Sequence, residues 1–284
     1  MEHKAAEDIS AEDWAGEMGE KWLAHLDQFE GMIEPAGEAL LAAAGVAPGD
    51  AVLDLGCGGG VTTIAIAKTA GPEGRATGLD ISPVLATHSA KRAAAAGVQN
   101  VDFITGDATV ATLDQGAYDI LFSRFGNMFF EDPVAAFKNL HSALKPGGRA
   151  IFSCWAPPED NQWLLEVMEV VTRYIEMGPP EPRAPGPFAF AETAYVSEVL
   201  TKAGFSNVKV EAWRGKQMVG GKSATAAEAA DFVVNALSVG DALKELPPEK
   251  FAAVIKDITE AFARHETPEG VEMSATAWFV NAKA

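Results

Sequence analysis

Apolar side chains recur every three or four positions from about Asp13 to Ala44, where Trp22, Leu23, Leu26, Phe29 and Ile33 form one stripe. This is the spacing of an amphipathic helix, and Pro35 predicts a break into two helices, the second over 36–44. After the turn at Val46–Asp50 the pattern changes to short apolar runs alternating with helical stretches. Ala51–Leu55, Arg75–Ile81, Val101–Thr105, Tyr118–Ser123 and Arg149–Cys154 read as strands, with helices predicted over about 62–70, 83–96 and 133–144. Strand alternating with helix predicts an α/β fold around an open, mostly parallel sheet. Beyond Trp155 the pattern predicts a helix over about 163–177, a rigid proline-rich loop over Gly178–Phe190, and a helix over 193–203. A strand from Val208 follows, then an alanine-rich helical stretch over 223–266 interrupted at Pro247–Pro248, and a last strand over Ser274–Asn281. The expected organisation is an N-terminal helical lid (1–45), a core (46–155), a cap insertion (156–190), and a C-terminal part of the core (191–284) carrying a helical insertion at about 223–266.

The sharpest local feature lies where the first strand ends. Ala51–Leu55 passes into Gly56-Cys57-Gly58-Gly59-Gly60 and then into helix-forming sequence. Asp54 stands at the end of the strand, and Gly56, Gly58 and Gly60 at alternate positions let the backbone bend and approach a ligand with no Cβ in the way. The dinucleotide fingerprint G-x-G-x-x-G needs a third glycine. Counted from Gly56 that position is Val61, and from Gly58 it is Thr63, so the fingerprint is not met. Asp80 ends the second strand about 20 residues further on, where an acidic side chain accepts both hydroxyls of a ribose and repels a 2′-phosphate. Ser82 followed by Pro83 is expected to cap the next helix, which leaves Asp80 free for a ligand. Asp107 follows the third strand in the same way, so three carboxylates stand at one edge of one sheet.

Charge narrows the partners. The net charge of −18, from 40 acidic against 22 basic residues, repels polyanions and argues against nucleic acid. No apolar stretch approaches the ~20 residues of a bilayer span. Met1–Ser10 lacks the apolar core of a signal peptide, so a cytoplasmic protein is expected. Cys57 and Cys154 are too few for a disulfide framework and lack paired metal-ligand spacing; each is read as a buried thiol, and no metal site is expected. Oligomeric state is not legible.

Taken in order, Leu53-Asp-Leu-Gly-Cys-Gly-Gly-Gly60, Gly78-Leu-Asp80, Gly106-Asp-Ala108, Phe122-Ser-Arg-Phe-Gly-Asn-Met-Phe-Phe-Glu-Asp-Pro133 and Leu144-Lys-Pro-Gly-Gly-Arg149 resemble the class I methyltransferases that use S-adenosylmethionine. The resemblance is to the small-molecule enzymes related to ubiquinone and menaquinone biosynthesis and covers about residues 46–155. It implies a doubly wound, Rossmann-like sheet of seven strands with an antiparallel last strand. It also implies S-adenosyl-L-methionine as cofactor, leaving as S-adenosyl-L-homocysteine, and a small-molecule methyl acceptor. The glycines would then pass beneath the methionine portion and ribose, with Asp54 reaching the ammonium and Asp80, beside Ile81, taking the ribose hydroxyls. Asp107 would accept from the adenine amino group, the Ala108 amide would read a ring nitrogen, and Ser123 would offer its carbonyl to the ammonium near the transferred methyl.

Acceptor residues are read more coarsely. Arg124 pairs with the methionine carboxylate, with an anionic acceptor, or with a structural counter-ion. Met128, Phe129 and Phe130, with Trp14, Trp22, Phe188 and Phe190, suggest an apolar or aromatic acceptor. The Asn/Asp-Pro-Pro-Tyr/Phe element of methyltransferases acting on amide or base nitrogens is absent where Ser123-Arg-Phe-Gly126 stands. His25, His88, His141 and His265 lie in no general-base motif: His25 reads as core packing, His141 as a solvated helix residue, and no catalytic base is assigned. Two other classes stay open. One is a nicotinamide-dependent oxidoreductase, weakened by the missing third glycine and the absence of a Tyr-x-x-x-Lys pair; the other is a noncatalytic S-adenosylmethionine-binding protein.

Overall fold

The short apolar runs become strands because each is bounded by turn residues and covered by helices on both faces of the sheet. The computed structural model describes residues 11–178 and 181–284; the expectations for Met1–Ser10 and for Pro179–Pro180 fall outside them. Three helices, α1 (Ala11–Ala15), α2 (Glu17–Ala24) and α3 (Leu26–Ala44), precede the core. The core runs β1 (Ala51–Leu55), α4 (Val61–Ala70), β2 (Arg75–Asp80), α5 (Pro83–Ala95), β3 (Val101–Thr105), β4 (Tyr118–Arg124), α6 (Pro133–Ala143) and β5 (Leu144–Trp155). There follow α7 (Gln162–Val171), α8 (Thr193–Lys202), β6 (Ser206–Val219), α9 (Ala226–Ala236), α10 (Ser238–Leu243), α11 (Pro248–Phe262), β7 (Glu266–Thr267) and β8 (Gly270–Lys283).

The sheet is eight-stranded, in the order β3-β2-β1-β4-β5-β8-β6, with the two-residue β7 pairing β8 off this path. β1 pairs in parallel with β2 and β4, as do β2 with β3 and β4 with β5, while β8 runs antiparallel to both β5 and β6. This is the doubly wound, mostly parallel sheet with an antiparallel last strand that the sequence predicts. Strand order reverses between β1 and β4, which opens the crevice where ligands bind in such sheets.

Three element boundaries depart from expectation. Pro35 lies inside α3 and does not divide it; the breaks fall earlier, at Gly16 and at His25. Packing decides this, because α3 is buried on both sides of the proline: Phe29, Met32 and Ile33 before it, Ala36, Leu40 and Ala44 after it. Arg149 Nη2 also donates to the Ala44 carbonyl at 2.6 Å and ties the end of α3 to β5. The helix expected over 163–177 stops at Val171. The alanine-rich stretch breaks at Leu237, whose backbone is extended, as well as at Pro247. The capping box of Thr225 and Glu228 starts α9.

Candidate active site

The turn between β1 and α4 is held from behind by the next crossover. Gly56, Gly58 and Gly60 take φ of 63°, 53° and 79°, the left-handed region open to glycine. A Cβ on Gly56 would stand 2.6 Å from Gly126 Cα, so the turns after β1 and β4 meet backbone to backbone. Phe125, just before Gly126, itself takes φ 59° and stacks on Trp155 with centroids 4.2 Å apart. From α5, Ser89 Oγ reaches the Gly58 carbonyl at 2.6 Å and Arg92 Nη1 donates to the Gly59 carbonyl at 3.1 Å.

Asp80 joins that turn to the second crossover. Its Oδ2 accepts the Gly58 amide at 2.8 Å and its Oδ1 accepts the Ser82 amide at 2.9 Å. Burial pushes the carboxyl above its ordinary pKa, against the pull of these two hydrogen bonds. Asp80 is therefore less free than expected. Ser82 holds the N-cap position of α5 without using its side chain, and its buried Oγ has no hydrogen-bond partner among the described residues. Gly19 of α2 lies against Ser82, where a Cβ would come within 2.1 Å of Oγ.

These turns form one wall of a cavity of about 330 Å³. Gly56, Gly58, Asp80, Ile81, Asp107 and Ala108 line it, and Trp14, Trp22, Arg124, Met128, Phe129 and Phe130 face it from the other elements. The remaining predicted residues lie elsewhere. Asp54 is fully buried beneath the turn, where Thr62 and Thr63 hydroxyls donate to its Oδ2 at 2.7 and 2.6 Å, and its Oδ1 has no partner among the described residues. Burial raises its pKa to about 6, opposed by those hydroxyls and by the field of Arg124. Gly60 caps α4 against Ser89. Ser123 is buried and donates from Oγ to the Leu55 carbonyl at 2.9 Å. Phe188 and Phe190 pack into the core beside the cavity, which takes Pro187 from that loop instead.

Sequence reasoning missed Phe29, Met32, Trp155, Trp163 and Leu237 as cavity residues. Trp155 carried a usable signal, since it ends β5 at the sheet edge where ligands bind; Leu237 carried none. None of the four histidines among the described residues lines the cavity. His25 sits at the α2–α3 junction with its ring 6.2 Å from Phe232, and His265 Nε2 lies 2.7 Å from Glu166. His141 is not solvated as expected: its ring packs edge-on against Phe205 at 4.8 Å and its Nε2 is buried. Cys57 and Cys154 are buried free thiols, as expected. Among the described residues no group of acidic, histidine and cysteine side chains could hold a metal, and no helix is long and apolar enough to cross a membrane.

Comparison with known proteins now bears on this arrangement. Residues 52–148 match the family model described as a methyltransferase domain. The chain is also 34% identical over 107 residues to the demethylmenaquinone methyltransferase of Staphylococcus aureus, strain JH9, covering 38% of this chain. The match spans less than half of that relative, 44% of its length. Among solved structures, the YcgJ protein from Bacillus subtilis superposes with a TM-score of 0.57 at 16% identity, covering 88% of this chain and 98% of the other. An S-adenosylmethionine-dependent methyltransferase from Aquifex aeolicus gives a TM-score of 0.50 at 20% identity over 65% of this chain and 86% of its own. At these identities the structural likeness establishes the class I methyltransferase fold around the domain.

Proposed function

We propose that the chain binds S-adenosyl-L-methionine and transfers its methyl group to a small apolar or aromatic acceptor, releasing S-adenosyl-L-homocysteine. The observation that carries this reading is the division of one cavity between a wall of glycine backbone and carboxylates and a wall of aromatic side chains. The residues present fit a nucleoside joined to an amino acid. Asp80 and Asp107 offer acceptors for ribose hydroxyls and an adenine amino group, and Gly58 presents an open backbone face whose nearest neighbour would be the Trp22 indole at 3.7 Å. The Arg124 side chain makes no hydrogen bond among the described residues; it lies against Gly37 of α3, under the fields of Glu30 and Asp54. Burial lowers its pKa from the ordinary arginine value, and a ligand carboxylate would restore the lost solvation.

The same geometry disfavours a dinucleotide. A pyrophosphate needs free amides at the turn, yet Gly56 donates its amide to the Leu79 carbonyl, Gly58 to Asp80 and Gly60 to the Cys57 carbonyl.

The bound cofactor would supply an activated methyl on a good leaving group. The protein then has to align the acceptor and keep water out, which can provide much of the acceleration. Trp14, Trp22 and Phe129 pack ring against ring over the cavity, with centroids 5.8 Å apart for the tryptophans and 4.9 Å for Trp14 and Phe129. α1 and α2 thus act as the lid, and residues 156–190 as a cap that adds Trp163 and Pro187. The net charge of −18 supports a small molecule over nucleic acid as acceptor. The test is incubation with methyl-labelled cofactor and a panel of phenols and fused-ring ketones and enols. Label in an organic product supports the reading. Binding of S-adenosylhomocysteine with no transfer across the panel would favour the noncatalytic alternative.

A further inference from the structure

The stretch of cavity wall that would meet the cofactor's base has no regular structure of its own. β3 ends at Thr105, and residues 106–117 belong to no helix or strand before β4 begins at Tyr118. Within this loop, residues 106–109 line the cavity. The loop opens with a turn built on Asp107, whose Oδ1 accepts the Thr109 amide at 2.8 Å. The Asp107 carbonyl accepts the amides of Val110 at 3.1 Å and Ala111 at 2.7 Å. One such turn does not hold its shape unaided, because an isolated helical nucleus is unstable in water.

α6 supplies the support. Asn139, half-buried on that helix, gives Nδ2 hydrogens to both the Ala108 and the Ala111 carbonyls, each at 2.9 Å. Among the described residues no other side chain from outside the turn bonds to it. Further along, the Gly116 and Ala117 amides donate to the Ser142 and Ala143 carbonyls at the end of α6. The peptide joining Ala108 to Thr109 is therefore held at both ends, its carbonyl by Asn139 and its N–H by Asp107. Tilting that peptide would move the Asp107 carboxylate and Ala108 together. Ala108 is buried and lines the cavity, and its own amide has no partner among the described residues.

We propose that Asn139 is a positioning residue for recognition of the cofactor's base. By clamping this turn it sets the Asp107 carboxylate, an acceptor, against the Ala108 amide, a donor, so that the site selects a 6-aminopurine over a 6-oxopurine. Adenine presents an amino group beside an acceptor ring nitrogen, whereas hypoxanthine presents a carbonyl beside an N–H, the reverse pattern. The proposal rests on reading residues 106–109 as the adenine wall.

The test is calorimetric titration of the full chain with S-adenosylhomocysteine and with S-inosylhomocysteine, the same molecule carrying hypoxanthine. Wild type should prefer the first by more than about tenfold, since both hydrogen bonds to the base are lost in the second. Asn139→Leu keeps the side-chain volume and removes both donors. It should bind S-adenosylhomocysteine about tenfold more weakly, with S-inosylhomocysteine altered by less than about twofold, so that the preference shrinks toward unity. Circular dichroism checks that the variant is folded, and Asn139→Ala carries the same expectation should the leucine variant not fold. An unchanged preference in a folded variant, whether both affinities are kept or both fall in parallel, would overturn the role of Asn139 while leaving the cofactor site standing. If wild type fails to bind S-adenosylhomocysteine, or binds the two ligands equally, the adenine wall fails and this proposal fails with it.

Discussion

Along the carboxylate wall of the cavity, the lining comes from short local stretches at the ends of successive strands: Leu55, Gly56 and Gly58 at the end of β1, Leu79, Asp80 and Ile81 at the end of β2, and 106–109 directly after β3. The aromatic wall is assembled from Trp14 and Trp22 on the first helices, Phe29 to Ile33 on α3, the turn after β4, Trp155, Trp163, Pro187 and Leu237. One wall is a property of local turns fixed by backbone hydrogen bonds. The other exists only once distant segments have packed. Geometry is therefore demanding on the first wall and adaptable on the second, and substitutions should separate the two.

The largest effect is expected at Gly56→Ala. The new Cβ would meet backbone at Gly126, which has no flexible end to move aside, and the residue would have to hold φ 63°. A loss of about 2–4 kcal/mol in urea unfolding is expected, with loss of S-adenosylhomocysteine binding. A variant as stable as wild type would break the picture of two turns locked together. Asp80→Ala comes next. Losing a charge-assisted acceptor should weaken S-adenosylhomocysteine by roughly 1.5–3 kcal/mol in calorimetry, while affinity for an apolar probe should not change.

Asp54 gives a pH signature. Its folded pKa, about 6, lies above the ordinary 3.8, so the native state holds this proton more tightly than the unfolded chain does. The contribution of the group is most favourable below pH ~4 and is lost as pH rises through about 6. Without ligand, Asp54→Asn should therefore gain stability relative to wild type by roughly 1–2 kcal/mol more at pH 8 than at pH 5. A difference independent of pH would mean that the carboxyl is not desolvated. The smallest effect belongs to the aromatic wall: Phe129→Ala should raise the acceptor KM about fivefold by removing one buried ring face, with cofactor affinity unchanged.

This contrast also explains how much was legible in the sequence. Strand runs, turn glycines and the aspartates after strands are local features, so the fold and Gly56, Gly58, Asp80 and Asp107 on the cavity wall are legible from spacing, while Ile81 and Ala108 come through the resemblance to class I methyltransferases. Which way a residue at a strand end points is harder to read. Side chains alternate across a sheet, so Leu55 reaches the cavity while its neighbour Asp54 turns under the loop to Thr62 and Thr63. The same alternation sends Arg124 toward Gly37 and leaves Ser123 buried against the Leu55 carbonyl. Pro35 misled because propensity was outweighed by burial of α3 along its whole length. Trp163 and Leu237 had no local mark at all, since their roles depend on where α7 and the α9–α10 junction dock.

The central claim is that the glycine turn and Asp80 hold S-adenosylmethionine. Its most direct measurement is calorimetric titration of the intact chain with S-adenosylhomocysteine and, separately, with NAD, repeated in Asp80→Ala. The account predicts saturable one-to-one binding of S-adenosylhomocysteine that weakens in the variant, and no binding of NAD. Saturable binding of NAD without S-adenosylhomocysteine, or an affinity for S-adenosylhomocysteine untouched by the loss of Asp80 in a folded variant, would contradict it.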